Sequence, residues 1–213
     1  MGSNFSAVWP VVHAERERLV RDLSDLPADA WAKPSLCPGW DVHDVLAHLI
    51  DGAMTTRLGF ARRMMANRFD FDRDNSAGIA QQKRADPRQT LEALGEVITS
   101  TRTPPANSKT RLVEMFVHGE DIRRPLGNDV GYPVDPVVEA LSYQVKTAVG
   151  FGGGRERVVG LRLTVTDSDV VLGGAGAVEV RGRAIDLLLA VSGRPVPPGA
   201  LVGPGVEKLA TTA

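Results

Sequence analysis

Several features that would point to particular classes of protein are scarce or missing in this sequence. A single cysteine, Cys37, excludes an internal disulfide bond. The 213 residues contain no apolar run long enough for a membrane-spanning helix and no apolar N-terminal segment typical of a signal peptide. A formal net charge of −1 gives no electrostatic basis for binding nucleic acid or an anionic membrane surface. We therefore expect a cytoplasmic protein that binds neither.

Motifs of common nucleotide-binding and catalytic sites are missing as well. The glycine clusters at 150–154 and 173–176 have neither GxGxxG nor Walker spacing, so we interpret them as tight turns. No G-x-S-x-G nucleophile elbow occurs. Cys37 lies in a proline-flanked connection and fits a small packed side chain better than a nucleophile. The acidic segment 70–75 lacks the glycine and the final glutamate of a calcium loop.

What remains is the composition of an ordinary globular protein, with 43% hydrophobic and 24% charged residues. Apolar periodicity predicts helices in the first part of the chain at 4–24 (capped by Ser3 or Ser6, regular from about Pro10), at 41–66 (capped by Asp41), at 86–101 and from a cap at Ser108. Segments 25–40 and 67–85 are predicted to be irregular connections. Beyond Gly127 the pattern predicts helices at 135–149 and 183–192, strands at 161–166, 170–172 and 177–182, and an extended segment from Pro195. The fold class is therefore α+β: a helical domain at 1–130, a small α+β domain at 131–205 and a tail at 206–213.

The segment 111–127, RLVEMFVHGEDIRRPLG, holds the first candidate site. Its helical part is apolar on most of its circumference, which is typical of a buried helix. Glu114 and His118 interrupt it four residues apart, so they lie on one face about 6 Å apart along the axis. Buried ionisable groups need a partner or a metal. The spacing fits half of a divalent-metal site, and it also fits an ordinary Glu–His pair, which is the commoner arrangement.

Two further histidines, His43 and His48, lie in the predicted helix 41–66. On a helical wheel His43 is about 90° and His48 about 130° from the centre of the apolar stripe. The wheel therefore does not select His48 as a ligand. Asp44 precedes His48 by four residues and is a candidate to hold its second ring nitrogen.

Three stretches together resemble a known family. They are CPGWDVHDVLAHL (37–49), VEMFVHGEDIRRPLG (113–127) and AVEVRGRAIDLLLAVSGR (177–194). The set is similar to the mycothiol-dependent maleylpyruvate isomerase family, the actinobacterial branch of the DinB-like metal-binding superfamily. The resemblance implies an N-terminal DinB-like four-helix bundle with an up-up-down-down character, followed by a small sterol-carrier-like α+β domain.

The resemblance also implies a ligand set, because the metal-binding positions of the family match His48, Glu114 and His118. Two histidines and one carboxylate leave coordination positions open to water, thiol or substrate. By ligand type the metal is zinc first, with nickel, iron or manganese compatible. The thiol implied by the family is mycothiol. The sequence shows no complete clamp for a substrate carboxylate, so the substrate stays undefined.

Three functional hypotheses follow. The first is a metal-dependent enzyme that uses mycothiol as a cis–trans isomerase or a thiol S-transferase. The second is a non-catalytic protein that binds a metal or a small ligand. The third is a metal-assisted hydrolase, for which the candidate bases are Asp44, Asp51, Glu120 and Asp121. Arginines that follow the candidate ligands would suit an anionic substrate, although pairing with nearby acids is the commoner role: Arg57, Arg62, Arg63, Arg123 and Arg124.

Overall fold

The computed structural model describes residues 5–211, which fall into two compact units. The first unit ends at Asp129 and the second begins at Val130. The first unit is helical, with a 3-10 turn at Ala28–Ala32 and the helices α1 Phe5–Leu23, α2 Val42–Met54, α3 Arg57–Ala66, α4 Phe71–Gln82, α5 Pro87–Glu96 and α6 Lys109–Arg123. No helix in this described range is long and apolar enough to cross a membrane.

Four of these helices form a bundle, as the family resemblance implies. Helices α1 and α2 each pack against both α5 and α6, α4 packs against α2, and α3 contacts α4. The apolar positions that drive this packing are almost fully buried: Val8, Val12, Leu19 and Leu23 of α1, Val45, Leu46 and Leu49 of α2, Leu91 and Leu94 of α5, and Leu112, Met115 and Phe116 of α6.

Helix α2 begins where the sequence places it and ends earlier. Asp41 forms a capping box with Asp44, each side chain accepting a hydrogen bond from the backbone N–H of the other residue. The predicted helix 41–66 is wrong as one element, because the chain breaks at Thr55 and Thr56. The Thr55 hydroxyl donates to the Asp51 carbonyl (2.8 Å), and the Thr56 hydroxyl caps α3 by accepting from the Gly59 N–H.

The prediction of an irregular segment at 67–85 is also wrong, because α4 lies within it. Its cap is Asp70, whose side chain accepts from the Arg73 N–H. The helix is held against α2 by Arg63, which donates to the buried carboxylates of Asp51 (2.6 Å) and Asp74 (2.8 Å). The hydrogen bonds to Asp51 hold the pKa of the Arg63 guanidinium above its usual value.

Other helix ends differ by a few residues from the prediction. Helix α1 contains Pro10 in its interior, whereas the predicted regular helix begins near it. The alternative cap Ser3 lies outside the described residues, and Ser6 lies inside α1. At α6 the Asn107 side chain, not that of Ser108, accepts from the Lys109 N–H (3.0 Å). Helix α5 ends at Glu96, short of the predicted 101.

The second unit is an α+β arrangement, as predicted. It contains α7 Val134–Gln144, a 3-10 turn at Val149–Phe151, β1 Leu161–Val165, β2 Val171–Leu172, β3 Val178–Gly182, α8 Ala184–Val191, β4 Leu201–Val202 and α9 Val206–Thr211. The strand order is β2-β1-β3-β4, with β1 parallel to β3 and the two outer pairs antiparallel. Helix α8 packs against β1, β3, α7 and α9, and all of its residues are buried.

The end of the chain is more ordered than the sequence predicts. The expectation of an extended segment from Pro195 is wrong for residues 206–211, which form α9, whereas residues 201–202 are extended as β4. Leu209 accounts for part of this order, because its side chain is only 1% exposed. Residues 212–213 lie outside the described range. Helix α7 ends at Gln144, five residues before the predicted end.

His43 is a buried titratable group within the bundle. Its Nε2 lies 2.7 Å from the hydroxyl of Thr90 on α5, and the residue is 5% exposed. Burial is the main cause that lowers the pKa of His43, and the positive charge of Lys83 adds to it, against the opposing carboxylates Asp41 and Asp44. The neutral imidazole is therefore the form that the fold favours.

We expect His43 to contribute a loss of stability in mild acid. Because its folded-state pKa lies below the unfolded value of about 6.5, the unfolded chain binds more protons, and the free energy of unfolding falls as the pH drops below about 6.5. Urea unfolding at pH 7 and pH 5 should show a smaller pH effect in His43→Gln than in the wild type. An equal change in the free energy of unfolding between pH 7 and pH 5 in the two proteins would contradict this role.

Candidate metal centre

Two of the three predicted ligands come together between α2 and α6. The imidazole rings of His48 and His118 have centroids 4.8 Å apart and are nearly perpendicular. The hydrophobic stripe of α2 did not identify His48, because its side chain lies at the edge of the buried face and not at its centre. Two imidazoles at this separation, on two different helices, are suited to hold one ion between them.

The orientation of His118 is set by a buried carboxylate. Its Nδ1 lies 2.8 Å from Oδ2 of Asp121, three residues later on α6, and the Asp121 side chain is 0% exposed. A carboxylate at Nδ1 leaves Nε2 as the nitrogen for a metal, the usual arrangement for metal-binding histidines. Asp44, predicted to support His48, is engaged elsewhere: its side chain accepts from the Asp41 N–H (3.1 Å) in the capping box of α2 and pairs with Lys83 (2.8 Å).

The third predicted ligand, Glu114, lies one helical turn from this pair and faces elsewhere. Its Oε2 is 2.7 Å from Nη1 of Arg111, and both side chains are about nine-tenths buried. The same Arg111 nitrogen donates to the carbonyl of Gly52 on α2 (3.1 Å). Within the described residues, no group of three or more His, Cys, Asp or Glu side chains is placed to hold a metal ion. The set His48, Glu114 and His118 therefore stays a prediction.

The connection 34–41 carries an aromatic cover for the two imidazoles. Trp40 lies 5.0 Å from His48 and 6.2 Å from His118 between ring centroids, and it is stacked on His118. The connection is closed on itself by the Ser35 side chain, which donates to the Trp40 carbonyl (2.8 Å), and is fixed to α6 by a hydrogen bond from the Leu36 N–H to the Asp121 carbonyl (3.1 Å). Trp40 therefore packs on both of the candidate histidine ligands.

Several of the remaining polar candidates are engaged in ion pairs. Of the candidate bases, Asp51 pairs with Arg63 and Glu120 pairs with Arg124. Arg123 is 1% exposed and pairs with Glu15 (3.4 Å) and Asp22 (2.7 Å) of α1. These contacts support structural roles. Cys37 is half-buried in the connection.

Comparison with known proteins tests the family resemblance. Residues 12–108 match the family model of the mycothiol maleylpyruvate isomerase N-terminal domain. The family resemblance read from the sequence is thereby confirmed. The match includes α2 with His48 and ends just before α6, which carries Glu114 and His118.

Two uncharacterised proteins of Mycobacterium tuberculosis, from the strains CDC 1551 / Oshkosh and ATCC 25618 / H37Rv, are each 30% identical to the chain over 141 residues. The aligned part covers 54% of this chain and 55% of each relative, so the chain spans just over half the length of these curated relatives.

Solved structures show the same fold for nearly the whole chain. The crystal structure of a mycothiol-dependent maleylpyruvate isomerase matches with a TM-score of 0.62 at 16% identity, covering 94% of this chain and 92% of that one. A histidine-to-alanine mutant of a mycothiol-dependent maleylpyruvate isomerase matches with a TM-score of 0.59 at 16% identity, with 90% of each chain covered. The maleylpyruvate isomerase fold, helical first and α+β second, is therefore the fold of this chain.

We expect the connection under Trp40 to depend on Gly39. Its φ of +80° is in the left-handed region, and a Cβ at this position would meet no atom within 4 Å, so backbone strain is the whole cost of a side chain. Gly39→Ala should lower the free energy of unfolding by about 1 kcal/mol, measured by urea denaturation.

The matched control is Gly131→Ala, because a Cβ there also meets nothing within 4 Å and the glycine has no positive φ. It should leave stability unchanged. Equal effects of the two substitutions would show that the left-handed backbone of Gly39 is not the cause.

Proposed function

We propose that this chain is a metal-dependent enzyme that uses a low-molecular-weight thiol, mycothiol, in the manner of a maleylpyruvate isomerase or a thiol S-transferase. The observation that carries the proposal is the approach of His48 and His118 to 4.8 Å, in a helical unit that matches the family's N-terminal domain. The buried Asp121 carboxylate on Nδ1 of His118 supports a ligand role for the other ring nitrogen.

The donor types suit a divalent ion, and two of the three lie together in the structure. His48 and His118 supply two nitrogens from neighbouring helices, and Glu114 supplies a carboxylate from the adjacent turn of α6 if it exchanges its contact with Arg111 for the ion. Three protein ligands leave at least one position for an exogenous group, the arrangement of catalytic sites. Zinc suits imidazole and carboxylate ligands, and nickel, iron and manganese are compatible.

A bound divalent ion would supply one chemical function here, which is to favour the thiolate form of a coordinated thiol near neutral pH. The residues of the chain would orient the ligands and limit the access of water. Asp121 fixes the ring orientation of His118, and Trp40 covers both imidazoles with an aromatic surface that limits the access of water. The only thiol of the chain, Cys37, lies in the connection, which leaves the nucleophile to be brought in by the cosubstrate.

Two outcomes follow from the same nucleophile. A thiolate that adds to one carbon of an activated double bond allows rotation about the resulting single bond, and its elimination restores the double bond in the other geometry. If the attacked carbon carries a leaving group, that group departs with the bonding electron pair and a thioether remains. The first outcome is isomerisation and the second is S-transfer.

The alternative is a non-catalytic protein that binds a metal or a small ligand. It is favoured by the buried contact of Glu114 with Arg111, which turns the third ligand away from the imidazoles. In the second unit, a mainly apolar cavity of about 480 Å³ is of a size that takes small molecules, and it is lined in part by Ala190, Val196, Leu201, Val206 and Leu209.

Metal content and thiol binding test the proposal. Elemental analysis should find one divalent metal per wild-type chain, and His48→Ala should lose most of it because an imidazole ligand is removed. His13→Ala is the matched control, since His13 lies in α1 against Trp9, and it should keep the metal.

Calorimetry should detect mycothiol binding to the metal-loaded protein, with turnover of maleylpyruvate or of a chlorodinitrobenzene. Metal retention without thiol binding or turnover would favour the binding protein, and equal metal content in both variants would remove His48 from the site.

A second prediction concerns Asp121. Asp121→Asn keeps a hydrogen-bonding oxygen near Nδ1 of His118 but removes the negative charge that makes the imidazole a stronger donor, so metal affinity should fall roughly 10- to 100-fold. Competition with a chelator of known affinity measures this directly. An unchanged dissociation constant would mean that His118 does not bind the metal through its other nitrogen.

A further inference from the structure

The carboxylate of Glu114 lies in a niche that Arg111 and Gly52 form. Its Oε2 contacts Arg111, while its Oε1 lies against Gly52 of α2, so closely that a Cβ on Gly52 would come within 2.4 Å of it. Gly52 follows His48 by one turn of α2, and Glu114 precedes His118 by about one turn of α6. The two helices therefore run in opposite directions here, with a layer of two imidazoles and, one turn away, a layer that holds the carboxylate.

The glycine is what makes this approach of the carboxylate to α2 possible. Glycine in a helix interior costs about 1 kcal/mol relative to alanine. At Gly52 that cost is offset by the space it leaves, since a side chain would overlap Glu114 and would lie 3.1 Å from Nη1 of Arg111. The Arg111 nitrogen that pairs with Glu114 also donates to the Gly52 carbonyl, so Gly52 both leaves room for the carboxylate and helps to position its cation.

A second guanidinium adds positive charge beside the niche. Arg16 of α1 is 1% exposed and donates through Nη1 to the carbonyls of Val97 (3.2 Å) and Ser100 (2.8 Å). Burial lowers the pKa of Arg16, while the Glu114 carboxylate raises it and Arg111 lowers it. Glu114 is thus attracted to two buried cations, Arg111 and Arg16.

We propose that Arg111 competes with the metal for Glu114 and so sets the metal affinity of the site. This inference rests on the proposed function, because it takes the ion to lie at His48 and His118. Arg111 acts as a positioning residue. It holds the carboxylate in the niche, and the ion gains its third protein ligand only when this contact opens. The apparent affinity for the ion is reduced by the fraction of molecules in which Glu114 is released.

Two substitutions should therefore strengthen metal binding. Arg111→Met removes the competing cation and retains a long apolar stem. Gly52→Ala keeps Arg111 but fills the niche, which displaces the flexible end of Glu114 towards the imidazoles. In each variant the dissociation constant for Zn²⁺, measured by titration against a chelating indicator at pH 7.5, should fall by roughly tenfold, the change expected if release of Glu114 limits binding to about a tenth of the molecules.

Matched controls separate this effect from general ones. Arg88→Met removes an exposed arginine of α5, and Gly95→Ala adds a Cβ in α5 that meets nothing within 4 Å. Neither should change the Zn²⁺ dissociation constant. Thermal unfolding followed by circular dichroism identifies variants that fail to fold. If Arg111→Met does not fold, the Zn²⁺ affinity of Gly52→Ala tests the proposal.

The outcomes distinguish this inference from the function on which it rests. Wild-type protein that binds no Zn²⁺ would overturn both. Wild-type protein that binds Zn²⁺, with folded variants that bind it equally or more weakly, would leave the metal site standing and would overturn the competition. Weaker binding would mean that Arg111 holds Glu114 in a ligating orientation.

Discussion

The charged side chains of α6 have to be paired inside the helical unit, and the region around the candidate site depends on this requirement. Arg123 reaches Glu15 and Asp22 of α1, Asp121 holds His118, and Arg111 holds Glu114. A buried ion without a partner costs several kcal/mol, so α6 can be surrounded by other helices only when these contacts form. The rotation of α6 about its axis is fixed accordingly, and with it the direction in which His118 faces.

This requirement also explains which parts of the fold are readable from the sequence. Strands β1 and β3, the cap at Asp41 and the four bundle helices follow from apolar periodicity and local hydrogen bonding, which act over a few residues. Helix α4 has a cap at Asp70 but no apolar periodicity, because its sequence is polar and it is held by contacts of Asp74 with Arg63 and of Arg63 with Asp51 of α2. Interactions between distant residues are not encoded in a local period.

The candidate site is likewise predictable from the sequence only in part. The four-residue spacing of Glu114 and His118 predicts a shared face, but the helical wheel does not select His48, and only the family resemblance does. The support of His118 by Asp121 was within reach of the sequence, since a three-residue spacing on a helix brings side chains together. The capture of Glu114 by Arg111 beside Gly52 was not, because it depends on how closely α2 and α6 approach.

A ligand that an internal cation also holds changes how the affinity of a metal site is determined. In the competition that we propose, the ion gains Glu114 only to the extent that Arg111 loses it, so the net affinity is a difference between two electrostatic attractions in one low-dielectric environment. Such a difference is sensitive to residues that are not ligands. Gly52 and Arg111 then act on the same property as His48 and His118, and two chains with identical ligands can differ widely in how tightly they hold the ion.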